Sequence, residues 1–308
     1  MKLDVLVVGD YCFDLILIDL PGEPVKGQEI YARAMDVTIG GGAFPTSVAL
    51  KRLGLDTGLH MQLGADFFSR YTKEMIEKAG FSPALLDIHD EDFQRLTVAL
   101  SYPDDRAFLS YSDLPPGQDR ETRFGGDILQ AHRVRHIHFA HLSATLSAQE
   151  MIIEAKRKGI TISSDCGWNP WALDHHRLWE TISQVDVFMP NEVELKYITS
   201  AEELEQGLDI ISKSVPLTVV KRGSLGSSAG QKSLKLFVPA IPVEAVETTA
   251  AGDCFNAGFL FGYLHEWELD KALYCGNICG GLSTTASGWQ ATPSKEQLEA
   301  WLEGESFG

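Results

Sequence analysis

The residues with the most capacity for chemistry stand together at Glu247-Thr248-Thr249-Ala250-Ala251-Gly252-Asp253. Small residues lead up to an aspartate, and an apolar run at helical spacing follows it in Phe255, Phe259, Leu260, Tyr263 and Leu264. The pattern reads as a tight loop opening into a helix. Such a loop turns several backbone N–H groups outward at the positive end of the helix dipole, where anions bind. A carboxylate beside a bound phosphate repels it, unless that carboxylate meets the proton of an incoming hydroxyl. The arrangement suits phosphoryl transfer to an alcohol, with N–H groups stabilising the migrating group and Asp253 accepting the proton. An aspartate in a first helical turn also serves as a cap or dipole partner, and the heptapeptide alone leaves both readings open.

Four further constellations carry chemistry, each with a plainer alternative. Gly40-Gly41-Gly42 lets the backbone approach a ligand closely, or makes a tight strand-to-helix turn. Asp14, between Phe13 and Leu15, is placed to grip sugar hydroxyls at a strand end, or is a solvated edge residue. Asn191-Glu192-Val193-Glu194 offers Glu194 to water around Mg²⁺, or forms a capping box, and both can hold together. Lys221-Arg222-Gly223-Ser224-Leu225-Gly226 offers a glycine turn and two cations to a nucleotide's phosphates or base edge. Neither a G-x-x-x-x-G-K-[ST] nor a G-x-G-x-x-G signature is present. His136, His138 and His141 lack a nearby cysteine or carboxylate to complete a zinc pattern.

These residues need a frame. Leu3–Val8 is a short apolar run ending at Gly9-Asp10, a buried-strand signal. Leu15–Leu20, Glu29–Ile39, Leu59–Leu63, His136–Leu142, Ile160–Ser164, Val185–Met189 and Leu217–Val220 read as further strands. Helices are expected at Thr46–Leu53, at Ser69–Ala79, at Ser147–Lys158 with a Ser147–Glu150 capping box, and at Asn191–Ile198. Three more close the chain, the last opened by a Ser294–Gln297 box. Strands alternating with helices imply an α/β fold, a mostly parallel sheet with helices on both faces. The pieces at about 14–39 and 95–112 break that rhythm. They are expected to form a small antiparallel sheet covering one edge, with a hairpin at Tyr102-Pro103-Asp104-Asp105. No long linker divides residues 1–308, which predicts one domain.

The 308-residue chain carries 26 Lys+Arg against 43 Asp+Glu, a net charge of −17 that argues against a nucleic-acid or anionic-membrane surface. An anionic substrate therefore needs a locally positive site. The five cysteines lack framework spacing, and Cys275 and Cys279, one helical turn apart, read as buried small hydrophobes. No signal-peptide pattern opens the chain and no apolar run approaches the roughly 20 residues of a membrane span, so a cytoplasmic setting is expected.

Taken in order, these pieces resemble the ribokinase-like (PfkB) carbohydrate kinase family over nearly the whole chain. The resemblance rests on Val7-Val8-Gly9 with Asp14, Gly40-Gly41 through Ala49-Leu50-Lys51-Arg52-Leu53-Gly54, Leu63-Gly64-Ala65-Asp66, Asn191 to Glu194, Lys221-Arg222-Gly223 and Thr248 to Asp253. It implies a ribokinase-like three-layer sandwich with a β-sheet lid, and an ATP- and Mg²⁺-dependent kinase acting on a hydroxymethyl group of a sugar or nucleoside. Asp253 matches the catalytic base, and the Ala250, Ala251 and Gly252 amides its anion hole. Asp14, Gly41 and Gly42 match substrate positions, and Asn191 and Glu194 the Mg²⁺ and phosphate motif. Lys221 and Gly223, in the turn closed by Gly226, match the nucleotide strand end, and Asn277 an adenine-side asparagine. Several members dimerise through the lid. Two departures stand out. Pro45 falls where the family usually supplies a sugar-holding asparagine, with Gly42 at another such position. Glu247 replaces the common aspartate in a region that helps to bind K⁺. A sugar kinase is the first expectation; a nucleoside kinase and a non-catalytic binding protein are the alternatives.

Overall fold

Val5, Leu6 and Val7 are fully buried in the first strand, β1 (Lys2–Val8), and a continuous apolar run of this kind needs cover on both faces. The computed structural model, which describes residues 2–102, 106–114, 127–143, 145–167, 176–286 and 288–303, supplies that cover. Beside β1 lie β4 (Thr57–His60) on one side and β9 (Arg133–Phe139) on the other. Beyond β9 follow β10 (Thr161–Asp165), β11 (Val187–Met189) and β12 (Leu217–Lys221), all parallel. An antiparallel hairpin, β13 (Ser227–Gln231) and β14 (Leu234–Val238), closes the far edge, making eight strands in the order β14-β13-β12-β11-β10-β9-β1-β4. Helices α1 (Ala43–Arg52), α8 (Ala251–Leu264), α9 (Leu269–Ser283) and α10 (Lys295–Leu302) share one apolar core with Val5 and Val7. On the opposite face, α4 (Leu146–Arg157), α6 (Glu192–Thr199) and α7 (Leu204–Ile211) share a second core with Leu6 and Ile137. The result is three layers.

The lid is a separate four-stranded sheet of order β3-β2-β7-β8, from β2 (Cys12–Ile18), β3 (Ala34–Gly40), β7 (Arg95–Ser101) and β8 (Arg106–Ser112). Its outer pairs are antiparallel, but β2 and β7 run parallel, so the expected all-antiparallel sheet is corrected. The chain between them passes through the main body, including α2 (Phe67–Lys78), and returns in the same direction, which a hairpin cannot do. The expected turn at residues 103–105 lies outside the described residues.

Other sequence readings shift locally. The run Leu59–Leu63 divides at Met61: β4 stays in the large sheet, while Gln62–Leu63 pairs with Asp87–Ile88. Helix α4 is capped by Thr145, whose hydroxyl accepts from the Ala148 N–H at 3.2 Å. Ser147 is instead buried inside that helix, and the expected Ser147–Glu150 box does not form. The β13–β14 hairpin escaped the sequence reading because Ser-Ser-Ala-Gly-Gln has almost no apolar alternation. The Ser294–Gln297 box forms as expected.

Candidate active site

The parallel strands end on one side of the sheet, where open α/β folds place their ligands. Two helices begin there with no side-chain cap. Helix α1 starts from Gly42 (φ 75°) and α8 from Ala250 (φ 62°), both in the left-handed region. Ala250 holds that conformation without glycine's freedom, which marks a locally strained turn. The Ala251 N–H donates to the Thr248 carbonyl at 3.3 Å, so one of the three expected amides already has an internal partner. The turn is held from outside by Glu247, whose carboxylate accepts from the Thr249 N–H at 2.6 Å and the Gly288 N–H at 3.0 Å.

The two helix starts meet. A Cβ on Gly42 would stand 3.0 Å from Oδ1 of Asp253, and the Thr46 hydroxyl donates to the Asp253 carbonyl at 3.3 Å. Gly41 (φ 85°) is packed on the β1–β2 connection, where a Cβ would lie 2.4 Å from the Asp10 carbonyl oxygen. Gly40 lies under Asp14, which would be 2.2 Å from such a Cβ. Pro45 occupies the first turn of α1, where an N–H has no intrahelical partner, so the ring costs the helix nothing and removes one amide. Asp14, Gly41, Gly42 and Asp253 thus come together between lid and body.

Around Asp253 the charge is mostly negative. Burial first, and then the charge of Asp165, push the Asp253 carboxyl up to about 7 against the opposing pull of Lys221; Asp14 and Glu194 push the same way. Burial, with Glu247 adding to it, pushes Asp14 up to about 6, although a hydrogen bond from Cys12 pulls it down. Glu194, only 4% exposed, is likewise raised above the usual carboxylate range by burial and by Asp165. Lys221 is the cation whose charge opposes these carboxylates at Asp253. Burial pulls its ammonium down, but Asp165 and Glu194 hold it above its ordinary value.

Asn191 caps α6 through a full box: its Oδ1 accepts from the Glu194 N–H at 2.8 Å, and Glu194 Oε2 accepts from the Asn191 N–H at 2.7 Å. The Asn191 backbone bridges Lys221 at the end of β12, joining the two motifs. Gly223 (φ 56°) faces open space. Gly226 (φ 107°) is pressed on the 238–240 backbone, where a Cβ would meet the Val238 carbonyl oxygen at 2.2 Å. Asn277 donates to the Val238 and Pro239 carbonyls at 3.1 and 3.0 Å, so its amide tethers that same backbone. Arg222 turns to Glu192 at 2.9 Å and stacks over Phe237.

Two sets of residues escaped the sequence reading. Asp165, at the end of β10, bonds the Lys221 ammonium and the Asn256 amide, both at 2.6 Å. Its only signal was a carboxylate at the carboxyl end of an apolar strand. Asp10, after β1, pairs with Arg95 of the lid, and His141 stands 3.8 Å from the same Asp10 oxygen. His136 and His138 are buried and share the Ser163 hydroxyl at 2.7 and 2.8 Å. Burial pushes them down to about 3 and about 4. They are neutral core groups, apart from His141.

Among the described residues, no three His, Cys, Asp or Glu side chains gather as a metal cage. Mg²⁺ typically uses one or two carboxylates and completes its shell with water and phosphate oxygens. Glu194 in a crowd of raised carboxyls fits that habit, because a divalent cation would relieve the repulsion. Among the described residues, no helix is long and apolar enough to cross a membrane.

Known proteins give the same frame. The model of the pfkB family carbohydrate kinases matches residues 2–296. An ATP-dependent ribose-1-phosphate kinase from Halopiger xanaduensis is 26% identical over 91% of this chain and 91% of its own. A nucleoside kinase from Methanothermobacter thermautotrophicus is 27% identical over 91% of this chain and 88% of its own. In the solved structure of a "putative Ribokinase II" from E. coli in complex with ATP and Mg²⁺, the fold recurs with a TM-score of 0.80 at 20% identity, covering 98% of this chain and 99% of that one. The chain belongs to the pfkB family of carbohydrate kinases, phosphotransferases whose acceptor is an alcohol.

Proposed function

We propose that this chain transfers the γ-phosphoryl group of ATP to a hydroxymethyl group of a sugar. The observation that carries the reading is the approach of Asp253 to Gly42, which sets a carboxylate of raised pKa where the lid's polar face meets the body. Asp253 takes the proton of the acceptor hydroxyl as its oxygen bonds to Pγ and the Pγ–O bond to ADP breaks. The Gly252 and Ala250 amides stabilise the migrating group at the start of α8, while the Ala251 amide stays with the Thr248 carbonyl. ATP with Mg²⁺ is the proposed donor; Glu194 and Asn191 would hold the ion, which supplies charge neutralisation on the phosphates. Lys221, Gly223 and Gly226 would line the nucleotide, and Asn277 would shape its base side by tethering residues 238–239. The proposed step needs no K⁺, and Glu247, whose two oxygens each accept a backbone amide, holds the turn.

The lid favours a sugar. Its register sets Asp14 beside Thr38 and Thr97, and Thr97 opposite Ser110, a row of hydrogen-bonding groups suited to hydroxyls. Gly42 leaves room for the Asp253 carboxylate, and Gly41, packed on Asp10, would meet the acceptor only through its main chain. The similarity to a ribose-1-phosphate kinase supports a sugar acceptor, with or without a phosphate already on it. A nucleoside is the second reading, supported by the nucleoside kinase relative and by Phe108, half-exposed on the same lid face as Ser110. The opposite lid face is apolar, and we assign it to a second copy of this chain. The five cysteines all lack a disulfide, which fits a cytoplasmic setting. The whole of residues 1–308 is read as one catalytic domain with its lid.

The test is ATP consumption with Mg²⁺ across pentoses, hexoses, sugar 1-phosphates and nucleosides, with Asp253→Asn alongside. A sugar-dependent signal lost in the variant supports the reading. Activity on nucleosides alone selects the second reading. No signal above background for any acceptor turns the assignment toward a non-catalytic binding protein.

A further inference from the structure

The polar groups beneath the start of α8 converge on one atom. Asp165 Oδ2 accepts from the Lys221 ammonium at 2.6 Å and from the Asn256 amide at 2.6 Å, while Asn256 Oδ1 lies 3.4 Å from the same ammonium. All three side chains are nearly enclosed: Asp165 is 6% exposed and Asn256 0%, and the Lys221 side chain 13%. The Lys221 ammonium also stands 3.6 Å from the place a Cβ on Gly252 would take, so it lies directly against the proposed phosphoryl cradle. An ammonium has three donors, and two are accounted for by Asp165 and Asn256.

A lysine on a four-carbon stem does not hold one direction unaided. Here it is clamped from two sides by groups on two different elements, β10 and α8. The clamp also has an electrostatic purpose. Asp14, Asp165, Glu194 and Asp253 surround a place that must accept a polyphosphate, in a chain of net charge −17. Lys221 is the cation that acts on Asp253 there.

We infer that Asp165 is a positioning residue: with Asn256 it fixes the Lys221 ammonium against the amino end of α8, so that Lys221 meets the terminal phosphate of the nucleotide. This rests on the kinase reading for its meaning in turnover, but the nucleotide contact can be measured separately. The alternative is that the Asp165–Lys221 pair only stabilises the fold.

The test uses the full chain and calorimetric binding of AMP-PNP and of AMP, then steady-state kinetics on an acceptor found active. Asp165→Asn is expected to weaken AMP-PNP roughly tenfold or more while leaving AMP within about twofold, because AMP lacks the terminal phosphates. Lys221→Met should reproduce that selectivity. Asp165→Asn placed on Lys221→Met should add less than about twofold, since the two act as one unit. Asp165→Glu, which keeps the charge, should recover part of the loss. In kinetics, kcat should fall with the acceptor KM unchanged. Equal weakening of AMP and AMP-PNP, or wild-type AMP-PNP affinity in Asp165→Asn, overturns the inference. Should Asp165→Asn not fold, Lys221→Met with wild-type AMP-PNP affinity overturns it equally. If no acceptor is ever phosphorylated but the selective AMP-PNP loss is seen, the kinase reading fails and the phosphate contact stands.

Discussion

Gly42 and Asp253 face each other so closely that a methyl group on Gly42 would stand 3.0 Å from Oδ1 of Asp253 and 3.2 Å from the Ala140 carbonyl oxygen. The glycine is at φ 75°, where an alanine is strained as well. Gly42→Ala is therefore expected to displace the carboxylate by several tenths of an ångström. Misplacement on the order of 1 Å can cost about 10²-fold in rate, so kcat/KM should fall at least roughly tenfold. The melting temperature should drop only modestly. Unaltered kinetics in a folded variant would mean that the gap at Gly42 serves packing, not the acceptor.

The Asp253 carboxyl, raised to about 7 mainly by burial, ties activity and stability to pH with opposite signs. As the proposed base it must be ionised, so kcat/KM should rise with pH through about 7 and level off above it. Stability runs the other way. The folded pKa lies above the ordinary carboxylate value of about 3.9, so the native state holds the extra proton between those limits. The stabilising contribution is full below about 4 and is lost as pH climbs through 7. Asp253→Asn should then lower turnover by about 10²–10⁴-fold while raising the melting temperature more at pH 8 than at pH 5. A variant stabilised equally at both pH values would contradict the buried-carboxylate account.

Burial of this kind is what the sequence could not disclose. The order of elements was readable because β1, α2, α6 and α10 carry strong local signals: an apolar run, glycine stops and cap residues. Of the two readings that Asn191 and Glu194 allow, a capping box and a Mg²⁺ site, the box is formed. Asp165 left no trace beyond its place at a strand end, because its importance comes from Lys221 and Asn256, which reach it from distant elements. The parallel β2–β7 pair was likewise hidden, since alternation gives strands but not their partners. Ser147 illustrates the local limit: Thr145 competed for the same helix end and captured the Ala148 N–H.

The Arg95–Asp10 ion pair joins lid to body beside the proposed acceptor positions, and both side chains are partly shielded at 22% and 24% exposure. In the proposed reaction the lid covers the acceptor, so a contact that holds the lid to the body should affect acceptor capture more than nucleotide binding. Arg95→Ala should raise the acceptor KM roughly tenfold, with the ATP KM nearly unchanged and global stability lowered by no more than about 1 kcal/mol. The measurement is a two-substrate kinetic matrix with a thermal melt. Equal changes in both KM values would show that the pair supports the whole fold instead of the lid.

The lid's second face tests the proposed dimer. The register aligns Met35 with Leu17, Val37 with Leu15, and Val98 with both Leu15 and Leu109, so one face of the sheet is apolar throughout. Met35, Leu109 and Tyr111 remain 64%, 62% and 56% exposed. The Phe13 end of that face packs on Phe67, Phe68 and Tyr71 of α2; the apolar part left exposed marks an interaction surface, and an identical copy can cover it by two-fold symmetry. A lysine on that face would have to be buried twice, once from each subunit. Leu109→Lys should therefore convert a dimer to a monomer at micromolar concentration, read by sedimentation velocity, with the secondary structure intact. Leu109 is on the face away from Asp14, so any loss of activity must come through a lid left without its partner and should be felt in the acceptor KM first. Wild-type protein that sediments as a monomer at the same concentration removes the second copy as the occupant of this face.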